Sequence, residues 1–428
     1  MKVLDRYSGE EIGETECESV PSKVQILSNE AMASLQTMER KDIMMAFARL
    51  VTILDQRRME VALLISRESG KPLKFCMKDV EKASQVFHYW SVAKRLESSS
   101  MSTFSASEIT IHREWLLRET RRGPVLLVTN ALNAFLETSV WFGELASEGS
   151  PIVVVNPSGP SLVIKDLVEM IHTAGFPKNS LLQADEKCIN GMQTLTLPAI
   201  RSDSIHPDSA VLVMEGTDPE FSSKEIFKSM LWSGIYGGTK FNRILIEGSE
   251  SSYFINRMGE LAGEIVFGDP KDKDTDFPDR PIFNDHASMS DSISRSVLEG
   301  CRVIFGNQAT GNGIMGLHFQ GGSNKFQIST EINFPAFLFG SVSSYSEAES
   351  LLGTLENKFA VSLFTVDLNI AMMAAEKLDF QFIEINDAFD PILGFENYSG
   401  PVLDRISSEQ YLTEVFPLKR WKNIVIRR

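Results

Sequence analysis

Two short runs of this chain are apolar at every position: residues 124–128 (Pro-Val-Leu-Leu-Val) and 151–155 (Pro-Ile-Val-Val-Val). A strand without a polar residue has both faces covered, which is the condition of a parallel sheet between helices. The helix-like stretch 137–146 between them completes a βαβ unit. A further helix is predicted over 161–174, ending at Gly175 and Pro177 with the usual stop chemistry. A second α/β series starts after the polar stretch 185–209. Strand 210–214 leads to helix 222–232, and strand 243–247 to helix 252–266. A loop rich in Pro and Asp covers 268–281. Helix 346–356, strand 361–365, helix 369–377 and strand 382–385 follow. The fold class is therefore α/β, in more than one unit, as 428 residues also suggest.

Before the first strand the period is helical. Phe47, Leu50, Val51 and Leu54 form one apolar stripe, Val61, Leu64 and Ile65 mark a second helix that stops at Gly70 and Pro72, and Val80, Ala83, Phe87 and Trp90 a third. Residues 98–107 read as a Ser-rich loop. Residues 108–119 and 121–129 read as extended strands, and 421–428 as a terminal strand.

With 42 Lys and Arg against 57 Asp and Glu, the formal charge is −15. That sign opposes phosphate backbones and anionic bilayers, so neither a nucleic acid nor a membrane is an expected partner. No apolar run approaches the ~20 residues of a spanning helix. The four cysteines, Cys17, Cys76, Cys188 and Cys301, are too scattered for a disulfide framework or a metal site, and no H-x-x-x-H pair offers a zinc site. No G-x-S-x-G elbow is present. A charged start and sparse cysteines lead to the expectation of a soluble, cytoplasmic protein.

Six phrases, in order, resemble motifs of the aldehyde dehydrogenase superfamily. They are Glu68-Ser69-Gly70-Lys71-Pro72; Pro157-Ser158 after a strand; Ala174-Gly175-Phe176-Pro177; Gly268-Asp269-Pro270 with Asp272, Thr275 and Asp276; Phe364-Thr365 with Asp367; and Ile385-Asn386-Asp387. The resemblance implies three parts. A shortened Rossmann-type nucleotide-binding domain would take 1–107 and 123–208, a catalytic-type α/β domain 209–395, and a β-ribbon oligomerisation arm 108–122 and 410–428. It also implies a homo-oligomer, dimer or tetramer, or a hetero-oligomer with an active relative.

Family chemistry uses a cysteine thiolate, an amide that holds the oxyanion, a glutamate base and NAD(P). Laid against the family pattern, with Arg243 fixing the register, the cysteine position holds Gly238, which has no side chain to attack with. No cysteine lies between Cys188 and Cys301, so no shift of register restores a thiol. The glutamate position holds Ser204. Glu215 nearby reads as a strand-end carboxylate. The region 185–209 is short for the family's phosphate turn, and the lysine expected before Pro-Ser is Asn156.

What persists is Asn133, at the oxyanion asparagine, with Pro157, Ser158 and Glu331 as vestigial cofactor contacts. Cys188 is the cysteine best placed to be reactive, with Lys187 favouring a thiolate and Asp185 and Glu186 opposing it. The expected function is an inactive pseudoenzyme kept for assembly or for binding a ligand or partner. The alternative is an NAD(P)-dependent aldehyde or acyl oxidoreductase, or an enzyme using other residues in the same crevice. No resident cofactor is expected unless the shortened domain still takes NAD(P).

Overall fold

The computed structural model describes residues 2–92, 123–129, 132–186, 188, 199–201, 208–231, 240–248, 251–279, 300–306, 314–319, 336–355, 358–380, 382–388 and 423–426. A hairpin, β1 (Lys2–Leu4) and β2 (Glu11–Glu14), leads to three helices, α1 (Pro21–Thr37), α2 (Arg40–Ser69) and α3 (Leu73–Val92). The second and third differ from the sequence expectation in one respect. Where two helices were expected before Gly70, α2 is a single 30-residue helix. The polar stretch 55–60 contains no Gly or Pro, and the Arg57–Glu60 and Arg57–Asp166 ion pairs hold it in register.

The first sheet is parallel, in the order β5-β4-β3-β6. Its strands are β3 (Val125–Val128), β4 (Ile152–Val155), β5 (Leu181–Ala184) and β6 (Ala199–Arg201), with α4 (Ala134–Ser147) and α5 (Leu162–Ala174) as crossovers. All eight residues of β3 and β4 are buried. Val125, Leu127, Ile152 and Val154 face the helices α2–α5, and Leu126, Val128, Val153 and Val155 face Val24 of α1. The period-2 split explains why no polar residue is tolerated in either strand. The shortened stretch 185–209 supplies one described strand, β6.

The second sheet has eight strands in the order β11-β12-β13-β8-β7-β14-β15-β16. These are β7 (Asp208–Val213), β8 (Lys240–Glu247), β11 (Arg302–Phe305), β12 (Met315–Phe319), β13 (Ala336–Val342), β14 (Lys358–Phe364), β15 (Phe382–Ile385) and β16 (Asn423–Ile426). All pairs are parallel except β11 with β12. Helices α6 (Pro219–Ser229) and α7 (Ser251–Gly263) cover one face, α8 (Tyr345–Gly353) and α9 (Leu368–Lys377) the other. A two-residue pairing of β9 (Phe267–Gly268) with β10 (Phe277–Pro278) pins the loop between them. Of the residues expected in an oligomerisation arm, 108–122 lie outside the described residues. The terminal strand β16 pairs with β15 of its own chain and covers an edge that soluble sheets do not leave bare.

One contiguous core runs from the helices of the first half onto the α6/α7 face of the second sheet. At its centre Phe47, Phe87, Phe142 and Phe176 pack with ring centroids 4.9–6.4 Å apart. Phe176 reaches it from the Ala-Gly-Phe-Pro motif, delivered by Gly175 at φ 111°, a left-handed conformation suited to glycine. Close packing of α4 on α3 depends on Gly143, where a Cβ would lie 2.6 Å from Trp90 Cδ1 and 3.0 Å from Val86. Gly143→Ala is expected to lower stability by about 1–2 kcal/mol, the overpacking cost exceeding the gain in helix propensity. Urea denaturation of the two proteins measures it.

Two surviving motifs fasten the halves together. The carbonyl of Pro270 accepts from the Leu73 N–H (2.7 Å) and from Ser66 Oγ (3.2 Å), and Lys74 pairs with Asp276. Beside them Asp5, 1% exposed, accepts from the N–H groups of Tyr7 and Ser8, from Arg67 Nε (3.2 Å), and faces Lys271 at 3.8 Å. Burial pushes the Asp5 carboxyl up, but these donors and cations outweigh it and hold it below the ordinary range. A depressed folded-state pKa means that its stabilisation is complete above the unfolded value of about 3.9 and is lost as pH falls through the folded value. Asp5→Asn should therefore lower the thermal midpoint at neutral pH and narrow its gap to the parent as pH falls below about 4; a gap that widens on acidification contradicts this account.

Candidate functional site

The three-residue corner between α2 and α3, Gly70–Pro72, sets the geometry of the site. Gly70 takes φ 76°, its N–H bonding the Ser66 carbonyl at 2.7 Å, and the chain reverses there. On one side of the turn Glu68 reaches the start of α5, accepting from Leu162 N (2.8 Å) and Val163 N (3.1 Å). On the other side Lys71 points inward and is 1% exposed. Its Nζ lies 2.6 Å from Asp79 Oδ2 and 2.8 Å from Asn133 Oδ1. Asp79 is also 1% exposed and Asn133 5%.

Asn133 is the N-cap of α4, a position where asparagine oxygen ordinarily accepts a helix N–H. Here no side-chain cap forms, and the oxygen is held by Lys71 instead. That contact fixes the amide with Nδ2 away from the ammonium, and among the described residues Nδ2 donates to none. Asn133 thus offers one oriented donor, suited to a carbonyl or carboxylate oxygen. Sequence reasoning singled out Asn133 and missed the pair behind it. The available signal was a carboxylate, Asp79, on the apolar stripe Cys76–Val80–Ala83–Phe87 of α3.

Burial opposes thiolate formation at three of the cysteines. Cys76 donates to the Lys71 carbonyl (3.3 Å) and is fully buried, which pushes its pKa well above the usual value. Burial and then Asp185 push Cys17 up to about 11 and raise Cys188, whose Sγ donates to the Glu18 carbonyl. The expected opposition of Asp185 to a Cys188 thiolate is present. Cys301 is buried. Glu215 sits at a strand end, its N–H donating to Glu247. Gly238, Ser204 and Glu331 lie outside the described residues.

Pro157 and Ser158 form a tight turn closed on itself, the Ser158 N–H donating to Asn156 Oδ1 at 3.0 Å. Asn156 is buried and engaged locally. The first N–H groups of α5 are taken by Glu68, and Ile164 N by Ser161. An internal acidic side chain thus occupies the N-terminal end of α5, where free N–H groups would otherwise favour an anion. Among the described residues no cluster of His, Cys, Asp and Glu could hold a metal, and no helix is long and apolar enough to cross a membrane.

Residues 7–186 match the model of the aldehyde dehydrogenase family. The chain is 22% identical over 422 residues to 3-sulfolactaldehyde dehydrogenase of Priestia aryabhattai, covering 91% of this chain and 87% of that protein. It is 22% identical over 432 residues to lactaldehyde dehydrogenase of Methanococcus maripaludis, covering 91% and 89%. Among solved structures, glyceraldehyde-3-phosphate dehydrogenase GapN of Methanocaldococcus jannaschii, complexed with NADP, superimposes with a TM-score of 0.72 at 16% identity, covering 91% of this chain and 90% of that one. An oxidoreductase from Marinobacter aquaeolei gives 0.76 at 14%, covering 91% and 87%. The fold is that of aldehyde dehydrogenase structures along nearly the whole chain, and the first part of the sequence, residues 7–186, carries that family's pattern.

Proposed function

We propose that this protein is a catalytically inactive aldehyde dehydrogenase homologue that keeps a binding site for a small carbonyl compound and functions through binding and assembly. The observation that carries the reading is the absence of any cysteine between Cys188 and Cys301, with glycine at the position of the nucleophile, Gly238. A thioester route splits a hard transfer into two easier ones only if a thiolate attacks. Burial raises the thiol pKa of Cys17, Cys76 and Cys188, which works against a thiolate at each. Ser204 in place of the glutamate removes the hydrolytic base as well.

Asn133 is what remains. It can donate to a carbonyl oxygen, and in this reading it binds and orients an aldehyde without transforming it. Several similar proteins are named for hydroxyaldehydes, lactaldehyde and 3-sulfolactaldehyde among them, which supports a small 2-hydroxy carbonyl as the ligand class. A reading without NAD(P) is supported by the shortness of the stretch 185–209 and by the turn at 156–161, which Asn156, Ser161 and Glu68 close with internal hydrogen bonds. Assembly, with itself or with an active relative, accords with the exposed outer strand β11, on which Val303 and Ile304 are 40% and 39% exposed.

Purified protein is expected to reduce neither NAD nor NADP with lactaldehyde or glyceraldehyde above background, before or after thiol alkylation. Alkylation itself should be slow in the native state and rapid in denaturant. Gly238→Cys alone should restore no turnover, because the base is missing too. Turnover abolished by alkylation would establish a catalytic cysteine and end this reading. For assembly, light scattering on the intact chain should report a dimer or larger species; a monodisperse monomer at micromolar concentration excludes self-assembly.

A further inference from the structure

The geometry points to Lys71 and Asp79 as a positioning pair: a buried ion pair that aims the Asn133 amide and strengthens it as a donor to a ligand oxygen. This inference rests on the proposed carbonyl site at Asn133 and extends it to residues that touch no ligand.

Three observations converge. First, burying both charges costs several kcal/mol per ion, and pairs of this kind are often no more stabilising than apolar residues of the same shape. Stability alone gives little reason for an ammonium and a carboxylate, each 1% exposed, between α3 and the α2–α3 corner. Second, the neutral group held by the ammonium is an amide oxygen from a different helix, and that oxygen forgoes helix capping to be held. Third, the amide has a fixed orientation but an unspent donor: Asn133 is 5% exposed and Nδ2 meets no acceptor among the described residues. A side-chain amide rotates between two orientations nearly alike in shape, and a cation at Oδ1 selects one of them. The same cation draws density from the amide, so its N–H becomes a better donor in a low-dielectric setting. Asp79, 2.6 Å away, keeps Lys71 in place. The two act through Asn133 and are not themselves catalytic.

The test separates orientation from mere folding by using two probes, hydroxyacetone, which carries a carbonyl oxygen, and propane-1,2-diol, which does not. Binding to the full chain is followed by ligand-observed NMR titration. The parent is expected to prefer hydroxyacetone by about tenfold, the worth of one good hydrogen bond. Asn133→Asp keeps the contact with Lys71 but replaces the donor by an acceptor, and should abolish the preference. Lys71→Met with Asp79→Leu removes both charges while keeping volume; this protein should melt within a few degrees of the parent yet bind the two probes alike. Asp79→Asn, which removes only the counter-charge, should reduce the preference and serves should the double variant fail to fold. A folded double variant, or a folded Asp79→Asn protein, that keeps the parent's preference overturns the positioning role and leaves the Asn133 site standing. A parent without preference, or an Asn133→Asp protein that retains it, removes the site and this inference with it.

Discussion

The left-handed turn at Gly70 is the constraint on which the remainder depends. A side chain there would be strained at φ 76°. Because the chain reverses within two residues, groups on either side of it are sent in four directions. Ser66 and Leu73 take the Pro270 carbonyl, Lys74 takes Asp276, Glu68 caps α5, and Lys71 enters the interior. A single corner therefore joins the first sheet's crossover helix, the second half of the chain and the buried polar group.

Motif survival in a chain with no cysteine between Cys188 and Cys301 becomes intelligible from these contacts. Glu-Ser-Gly-Lys-Pro meets Gly-Asp-Pro across the joint. Phe-Thr-x-Asp meets Ile-Asn-Asp at the far end of the sheet: Asn386, at φ 57°, accepts from Thr365 N at 2.9 Å and donates its own N–H to the Leu363 carbonyl, while Asp367 caps α9. Ala-Gly-Phe-Pro sends Phe176 into the aromatic cluster. Each phrase is a joint, and joints are retained for folding whether or not a reaction takes place.

These same joints made the fold legible in sequence. The apolar runs at β3 and β4, the stop at Gly175 and the strand Phe382–Ile385 fall where periodicity and turn chemistry put them. Less legible were features decided by tertiary partners. The continuity of α2 through its polar middle rests in part on Asp166 of a later helix, and the membership of β16 in its own chain's sheet rests on an edge that no local pattern reveals. At the site, Asn133 was found by position, but its orientation depends on an ammonium 62 residues earlier in sequence. Only the carboxylate on the apolar face of α3 hinted at it.

The order of the second sheet also bears on how the chain assembles. Strand β7 lies in its interior, between β8, which follows after one helix, and β14, whose Leu363 pairs with Leu212 roughly 150 residues away. Closing a loop of that length carries a large entropic cost before any contact repays it, and topologies dominated by such pairings fold slowly. Until β14 arrives, β7 presents an unpaired edge whose last four residues, Ala210–Val213, are apolar. The folding chain thus passes through an interval in which a strand destined for the sheet interior is an adhesive surface.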